Sequence, residues 1–374
     1  MNTTSHRTAI EELALPGVRG LRAYEPGKPV DELERELGLT NIIKLASNEN
    51  PLGASQKVID TITAELSTLS RYPDGNGFAL KQVLADRHGV STKQVTLGNG
   101  SNDILELLTR AFVSPDNEVV FSEHAFAVYP IVTQAVGAKA VIVPAKQWGN
   151  DLDAILAAIT DKTRVVFIAN PNNPTGTCVG GDSLKEFVKR VPDHVLLVVD
   201  EAYFEYAQDL FPNYESAEQY LAESPNLIVT RTFSKAYGLA ALRMGYSLSS
   251  VEIADFLNRV RQPFNVNSLA MTAAITALSD TQHLTDTLVV NKDGIEQYHQ
   301  ACIELGLEWI PTAANFISIN VKQNGRDVFD KLLLHGIIVR PVDNYGMPDF
   351  LRITIGSEEE NRRCIEALTE VLQA

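Results

Sequence analysis

Three segments in the middle of the chain run apolar residue after apolar residue and then break into polar clusters: Arg164–Pro171 (RVVFIANP), His194–Tyr203 (HVLLVVDEAY) and Asn226–Lys235 (NLIVTRTFSK). A strand with one wet face alternates apolar and polar residues, whereas a strand that does not alternate is covered on both faces. Such strands build a mostly parallel sheet between layers of helix, and ligands of these sheets sit just past the C-terminal strand ends. The polar residues that follow each run are therefore where chemistry is expected.

The neighbouring segments fit this reading. SNDILELLTRAF places Ile104, Leu107, Leu108, Ala111 and Phe112 at helical spacing, with Ser101 or Asn102 as the expected N-cap. EVVFSE (118–123) and AKAVIVPA (138–145) read as short buried strands, and DLDAILAAIT puts Leu152, Ile155, Leu156 and Ile159 on one helical face. A further helix is expected near Ser183–Lys189. The first fifty residues are loop-rich, with Pro16-Gly17 and Pro26-Gly27. A long helix is expected from about Met271, then strands ANFISIN, GIIVRPV and FLRITIG, the last two around an MPDF turn, and a final helix from about Ser357. The whole reads as an α/β protein. A large domain spans 51–280, and a smaller α+β domain is assembled from both chain ends, 1–50 and 281–374.

Composition removes several classes of function. The 374 residues carry a formal net charge of −15, which repels nucleic acid and anionic lipid. No apolar run approaches membrane-spanning length, and MNTTSHRTAIEELALPG has no apolar signal core, so a cytoplasmic protein is expected. The three cysteines, Cys178, Cys302 and Cys364, are scattered, as in a reducing compartment, and neither they nor the seven histidines have metal-ligand spacing.

Four strand ends carry candidate chemistry. Leu97–Asp103 (LGNGSND) leads from glycines into a helix N-terminus, whose free N–H groups suit an anion; Asp103 stands where a dinucleotide fingerprint needs glycine. Ala169–Thr177 (ANPNNPTGT) is a tight loop or offers the Asn173 amide to a ligand. In Val198–Tyr206 (VVDEAYFEY), Asp200 ends an apolar strand, where a carboxylate needs a partner; it caps the next segment or holds a cationic ring nitrogen. In Thr230–Tyr246 (TRTFSKAYGLAALRMGY), Thr232, Ser234 and Arg243 make a phosphate site beside Lys235. A lysine beside a phosphate can form a Schiff base with a carbonyl cofactor. Phosphate, ring nitrogen, ring oxygen and aldehyde together describe pyridoxal 5′-phosphate.

The motifs NPNNPTG, VVDEAY and SKAYGLAALRMGY, in that order and spacing, resemble the fold type I pyridoxal-phosphate aminotransferases. Within that group AYEPGKP, KLASNENPLGAS, SRYPDGNG, LGNGSNDI and IIVRPV…FLRITIG look like the histidinol-phosphate aminotransferases. The resemblance covers essentially the whole chain and implies a seven-stranded large-domain sheet, a homodimer and a part in L-histidine biosynthesis. It implies that Lys235 carries the cofactor carbonyl, that Asp200 pairs with the ring nitrogen, and that Asn173 and Tyr203 bond the ring oxygen. Thr232, Ser234, Arg243 and the amides of Ser101 and Asn102 would hold the phosphate, with Phe126 stacked on the ring where the family often has tyrosine. Tyr72 would reach the neighbouring subunit's cofactor. Arg352 would bind the glutamate or 2-oxoglutarate carboxylate, Arg340 and Tyr24 the substrate phosphate, and Asn50 would lie in the substrate pocket.

Relatives of the same fold act on phenylalanine and tyrosine or decarboxylate threonine phosphate, and the residues admit either. A non-catalytic regulator would have lost Lys235 or gained a basic DNA-binding domain, and neither holds here. Trp148, Trp309, His88 and His194 read as packing or structural residues; His124 is the histidine to watch, two before Phe126. Cys178, Glu49 and Glu201 have no assigned role. The Pro-Gly-rich arm bearing Tyr24 is expected to close over the substrate.

Overall fold

The computed structural model describes residues 10–23 and 27–373. Thirteen strands appear among them. β1 (Ile43–Lys44) comes first, then β2 (Val95–Asn99), β3 (Glu118–Ser122), β4 (Lys139–Val143), β5 (Thr163–Ala169), β6 (Leu196–Asp200), β7 (Leu227–Thr232) and β8 (Met244–Leu248). The C-terminal part adds β9 (Glu308–Ile310), β10 (Phe316–Asn320), β11 (Ile337–Ile338), β12 (Arg340–Val342) and β13 (Met347–Thr354).

The seven strands β2 to β8 form one sheet in the order β2-β8-β7-β6-β5-β3-β4. β8 alone runs against its neighbours, so β2, β5, β6 and β7 all end on the same edge. The non-alternating runs behave as expected: every residue of β7 and all but one residue each of β5 and β6 are buried. Burying a large aliphatic side chain contributes roughly 1.5–3 kcal/mol. Val165, Phe167 and Val198 pack towards one helical layer, with Leu105, Leu108 and Leu257; Val166, Ile168, Leu197 and Val199 pack towards the other, with Leu184 and Phe187.

A four-stranded antiparallel sheet, β12-β13-β10-β9, makes the smaller unit, and β1 pairs in parallel with β11. Ile43 and Leu45 from the first part of the chain share a core with Ile295, Ile317, Leu351 and Leu368.

Local expectations were mostly met, with four corrections. The residues 138–145 are not a buried strand. β4 is the sheet's edge, with Ile142 56% exposed, and Lys139 on it pairs with Glu118 at 2.8 Å. The helix Ser101–Phe112 is capped by Gly100 at φ 81°, not by Ser101 or Asn102. The long C-terminal helix is two, Ser268–Ser279 and Thr281–Leu305, broken at Asp280, whose carboxylate takes the Lys57 amine at 2.8 Å. The hairpin between β12 and β13 turns at Asp343–Tyr345, so Met347 already lies in the strand instead of in an MPDF turn.

Candidate active site

The ends of β2, β5, β6 and β7 surround a cavity of about 170 Å³. Ser101, Asn102, Phe126, Asn173, Asp200, Tyr203, Thr232, Ser234, Lys235, Arg243 and Arg352 all line it. Eleven residues drawn from the four clusters and two further segments thus meet in one place. Arg340 does not line the cavity but stands opposite Arg352 on the neighbouring strand. Tyr72 is 82% exposed on the surface, stacked on Phe264 at 4.7 Å. Tyr24 lies outside the described residues.

Asn50 is a correction. It does not line the cavity; its amide donates to the Ala236 carbonyl at 2.9 Å and to the Thr287 hydroxyl at 3.0 Å. It braces the loop that carries Lys235 instead of facing a substrate.

At one end of the cavity lies an anion site. Arg243 Nη1 donates to Ser234 Oγ at 3.1 Å, and Thr232 Oγ1 donates to Ser234 Oγ at 3.0 Å. The helix beginning at Ser101 points its open N–H groups here. Two glycines make the space. A Cβ on Gly100 would meet Arg243 Nη2 at 2.4 Å, and one on Gly245 would meet the Ser101 nitrogen at 2.3 Å.

At the other end, Asp200 is buried with its carboxylate held by two hydroxyls. Thr230 Oγ1 donates to Oδ1 at 2.8 Å and Tyr129 Oη donates to Oδ2 at 3.0 Å. Loss of solvent pushes its pKa up to about 6, against the pull of those two donors. Asp200 does not cap the helix that follows.

Between them, the Tyr203 hydroxyl accepts from two amides, Asn48 Nδ2 at 2.8 Å and Asn173 Nδ2 at 3.2 Å. Its own proton is then left to point at something else in the cavity. Arg352 Nη1 donates to Asn173 Oδ1 at 2.6 Å, which fixes which way that amide faces. Lys235 reaches in from the β7 end, half-buried, and donates to the Ser47 carbonyl at 3.0 Å. Burial, then the Arg352 charge, brings its amine down to about 7, so much of it is neutral at physiological pH.

Sequence reasoning missed three lining or supporting residues. Tyr129 follows Phe126 by one helical turn, a spacing that could have flagged it. Asn48 sits in the same KLASNENP run as Asn50, with nothing in the run to say which asparagine faces inward. Tyr345 arrives on the unforeseen β12–β13 turn. His124 Nδ1 binds the Tyr345 carbonyl at 2.7 Å, so this histidine joins the two units and does not face the cavity. Glu201 is likewise structural, paired with the buried Arg231 at 2.9 Å.

This cavity fits pyridoxal 5′-phosphate: an anion cradle opened by two glycines, a buried carboxylate at the far end, and an amine between. Fold and site together define an aminotransferase of the pyridoxal-phosphate type, and a model of the family "Aminotransferase class I and II" matches residues 40–368. A histidinol-phosphate aminotransferase of Pseudomonas fluorescens is 60% identical over 96% of this chain and 97% of its own, and one of Nitrosococcus oceani is 52% identical over 97% of each. The crystal structure of the histidinol-phosphate aminotransferase of Sinorhizobium meliloti, in complex with pyridoxal 5′-phosphate, superposes with a TM-score of 0.88 at 28% identity, covering 100% of this chain and 99% of that one. The chain belongs to the histidinol-phosphate aminotransferase family.

Proposed function

We propose that the protein exchanges an amino group between L-histidinol phosphate and 2-oxoglutarate, with imidazole acetol phosphate and glutamate as the counterparts, in L-histidine biosynthesis. Both substrates use one site in turn. The observation that carries this is Lys235: a half-buried amine brought to about 7, in a cavity with a carboxylate at one end and an anion cradle at the other.

Thr232, Ser234, Arg243 and the N–H groups of Ser101 and Asn102 would hold the cofactor phosphate, and Phe126 would cover a ring face. Asp200 would keep the ring nitrogen protonated, and Tyr203 with Asn173 would bond the ring oxygen. When bound, pyridoxal phosphate supplies a carbonyl that takes up the amino group and a ring that spreads the charge left at Cα. Lys235 Nζ is the group placed to accept the substrate Cα proton, which an amine of lowered pKa does at neutral pH. Arg352 would bind a carboxylate of glutamate or 2-oxoglutarate, and Arg340, with Tyr24, the phosphate of histidinol phosphate. A guanidinium fork suits both groups.

Further proposals concern assembly. The apolar side chains Ile59, Leu66, Leu69, Tyr72 and Phe78 are all more than 40% exposed within one short stretch. A patch of that kind fits a homodimer in which Tyr72 reaches the neighbouring cofactor. The separate core shared by residues 43–45 and 295–371 supports dividing the chain into 1–50, 51–280 and 281–374. Among the described residues no helix is long and apolar enough to cross a membrane, and a cytoplasmic site of action accords with this.

The test is the visible absorption of the purified holoenzyme as single amino donors are added without keto acid. Bleaching of the yellow band at low histidinol phosphate, with much higher phenylalanine or threonine phosphate needed, supports the reading. Equal response to phenylalanine would make it an aromatic aminotransferase.

A further inference from the structure

Tyr129 stands outside the cavity proper, on the helix Val128–Ala135, and is completely buried. Its ring lies flat on Phe167 of β5 at 4.6 Å, with an interplanar angle of 6°, and meets Phe126 edge-on at 5.9 Å. Its hydroxyl points at one group, Asp200 Oδ2, at 3.0 Å. Packing alone needs no hydroxyl here; Phe fills the same volume.

We propose that Tyr129 is a positioning residue of the transamination site, fixing the rotamer of Asp200 and holding its carboxylate ionised beneath the cofactor ring nitrogen. This rests on the assignment of Asp200 to that nitrogen. The geometry carries it. Thr230 takes Oδ1 and Tyr129 takes Oδ2, one donor on each oxygen, so turning the carboxylate breaks a bond. The Ala202 backbone N–H also donates to the carboxylate, which with three donors still has a lone pair for one in the cavity. A hydroxyl bond to the ionised form favours it, which opposes the desolvation that burial imposes on Asp200. Glu201, the adjacent carboxylate, acts in the opposite sense on Asp200. The other ionisable groups at the cavity are Tyr203, Lys235, Arg243, Tyr345 and Arg352. Phe126 touches both the cavity and Tyr129, so the ring that covers the cofactor also buttresses the phenol.

The experiment measures uptake of pyridoxal phosphate by apoenzyme as a function of pH, by fluorescence quenching, for wild type, Tyr129→Phe, Asp200→Asn and the double variant. Tyr129→Phe is expected to weaken uptake about ten-fold, the size of one hydrogen bond to a charged group. It should also move the acid limb of the uptake curve to higher pH, because Asp200 loses a donor that favours its ionised form. In the Asp200→Asn background the Tyr129→Phe effect should vanish, since the phenol acts through the carboxylate. Should Tyr129→Phe not fold, 3-fluorotyrosine at position 129, a stronger donor of nearly the same shape, should shift the limb to lower pH. An acid limb of Tyr129→Phe superposed on wild type, or an equal loss in both backgrounds, overturns the proposal and leaves Tyr129 a packing residue. If Asp200→Asn itself leaves uptake unchanged, the assignment of Asp200 falls, and this proposal with it.

Discussion

Arg340 and Arg352 are direct register partners across the β12–β13 ladder. Cross-strand partners share a face of the sheet, and like charges in that relation destabilise it. Arg352 offsets part of this by donating to the Ala46 carbonyl at 2.7 Å and to Asn173. Arg352 lines the cavity and Arg340 stands beyond it, so the two meet different parts of a ligand.

The two arginines should therefore fail differently. Arg352→Ala should lower kcat/KM for glutamate by about 10²–10³-fold, as for loss of one partner of a desolvated charge pair, and should cost histidinol phosphate, which has no carboxylate, less. Arg340→Gln should penalise histidinol phosphate at least ten-fold more than glutamate. Steady-state kinetics with each donor separates the cases, and equal losses for Arg340→Gln would remove its assignment to the phosphate.

Lys235 makes the apoenzyme's stability depend on pH. Its folded pKa of about 7 lies below the unfolded value, so from about 7 to about 10.5 the unfolded chain binds the extra proton. Stability therefore rises with pH across that window. Replacing the amine removes this term: Lys235→Met apoenzyme should melt higher than wild-type apoenzyme at pH 6–7, and the gap should close towards pH 10. A constant gap by calorimetry across this range would contradict the lowered pKa.

Tyr203→Phe keeps the ring against Phe316, at 5.3 Å, and removes the hydroxyl that two amides serve. The Asn48 and Asn173 amides lose an acceptor inside a buried site. We expect kcat to fall about 10–100-fold, matching roughly 1–3 kcal/mol for unsatisfied buried donors, together with a changed absorption maximum of the bound cofactor. An unaltered spectrum would separate Tyr203 from the ring oxygen.

Gly245→Ala tests the cradle. The added methyl would meet the Ser101 nitrogen at 2.3 Å and the Gly100 carbonyl carbon at 2.6 Å, both backbone. Overpacking of this kind costs about 1–3 kcal/mol. The melting temperature of the apoenzyme should fall, and affinity for inorganic phosphate should fall with it. A drop in melting temperature alone would mean that the strand moves without opening the anion site.

Tyr72→Ala should leave the monomer's fold intact, because the side chain is exposed and touches chiefly Phe264. Cofactor release should nevertheless become faster in the dimer, as followed by dialysis, with size-exclusion chromatography reporting assembly. Release at the wild-type rate from an intact dimer would rule out a contact across the subunits.

The four strand-end clusters were legible because covered strands have a distinctive composition and their polar ends leave little choice of role. Eleven of the expected residues meet in one cavity for that reason. What escaped depends on facing and long-range pairing. Asn48 and Asn50 share a motif, yet only Asn48 turns inward, at φ 55°. Gly100, not Ser101, caps its helix because the left-handed conformation there favours a residue without Cβ. β4 reads like a core strand, and only its place at the sheet edge, a matter of topology, exposes it.

The short run after β1 has a consequence for how the protein comes into being. The carbonyls of Ala46, Ser47 and Asn48 are taken by Arg352, Lys235 and Asn315, residues from the last, middle and late parts of the chain. These three bonds stitch an early part of the chain to segments made well after it. A chain emerging from the ribosome therefore displays Asp200 and Lys235 long before Arg352 exists to close the site. Until Arg352 is made, the Ala46 carbonyl and the Asn173 amide lack the guanidinium that ties them together.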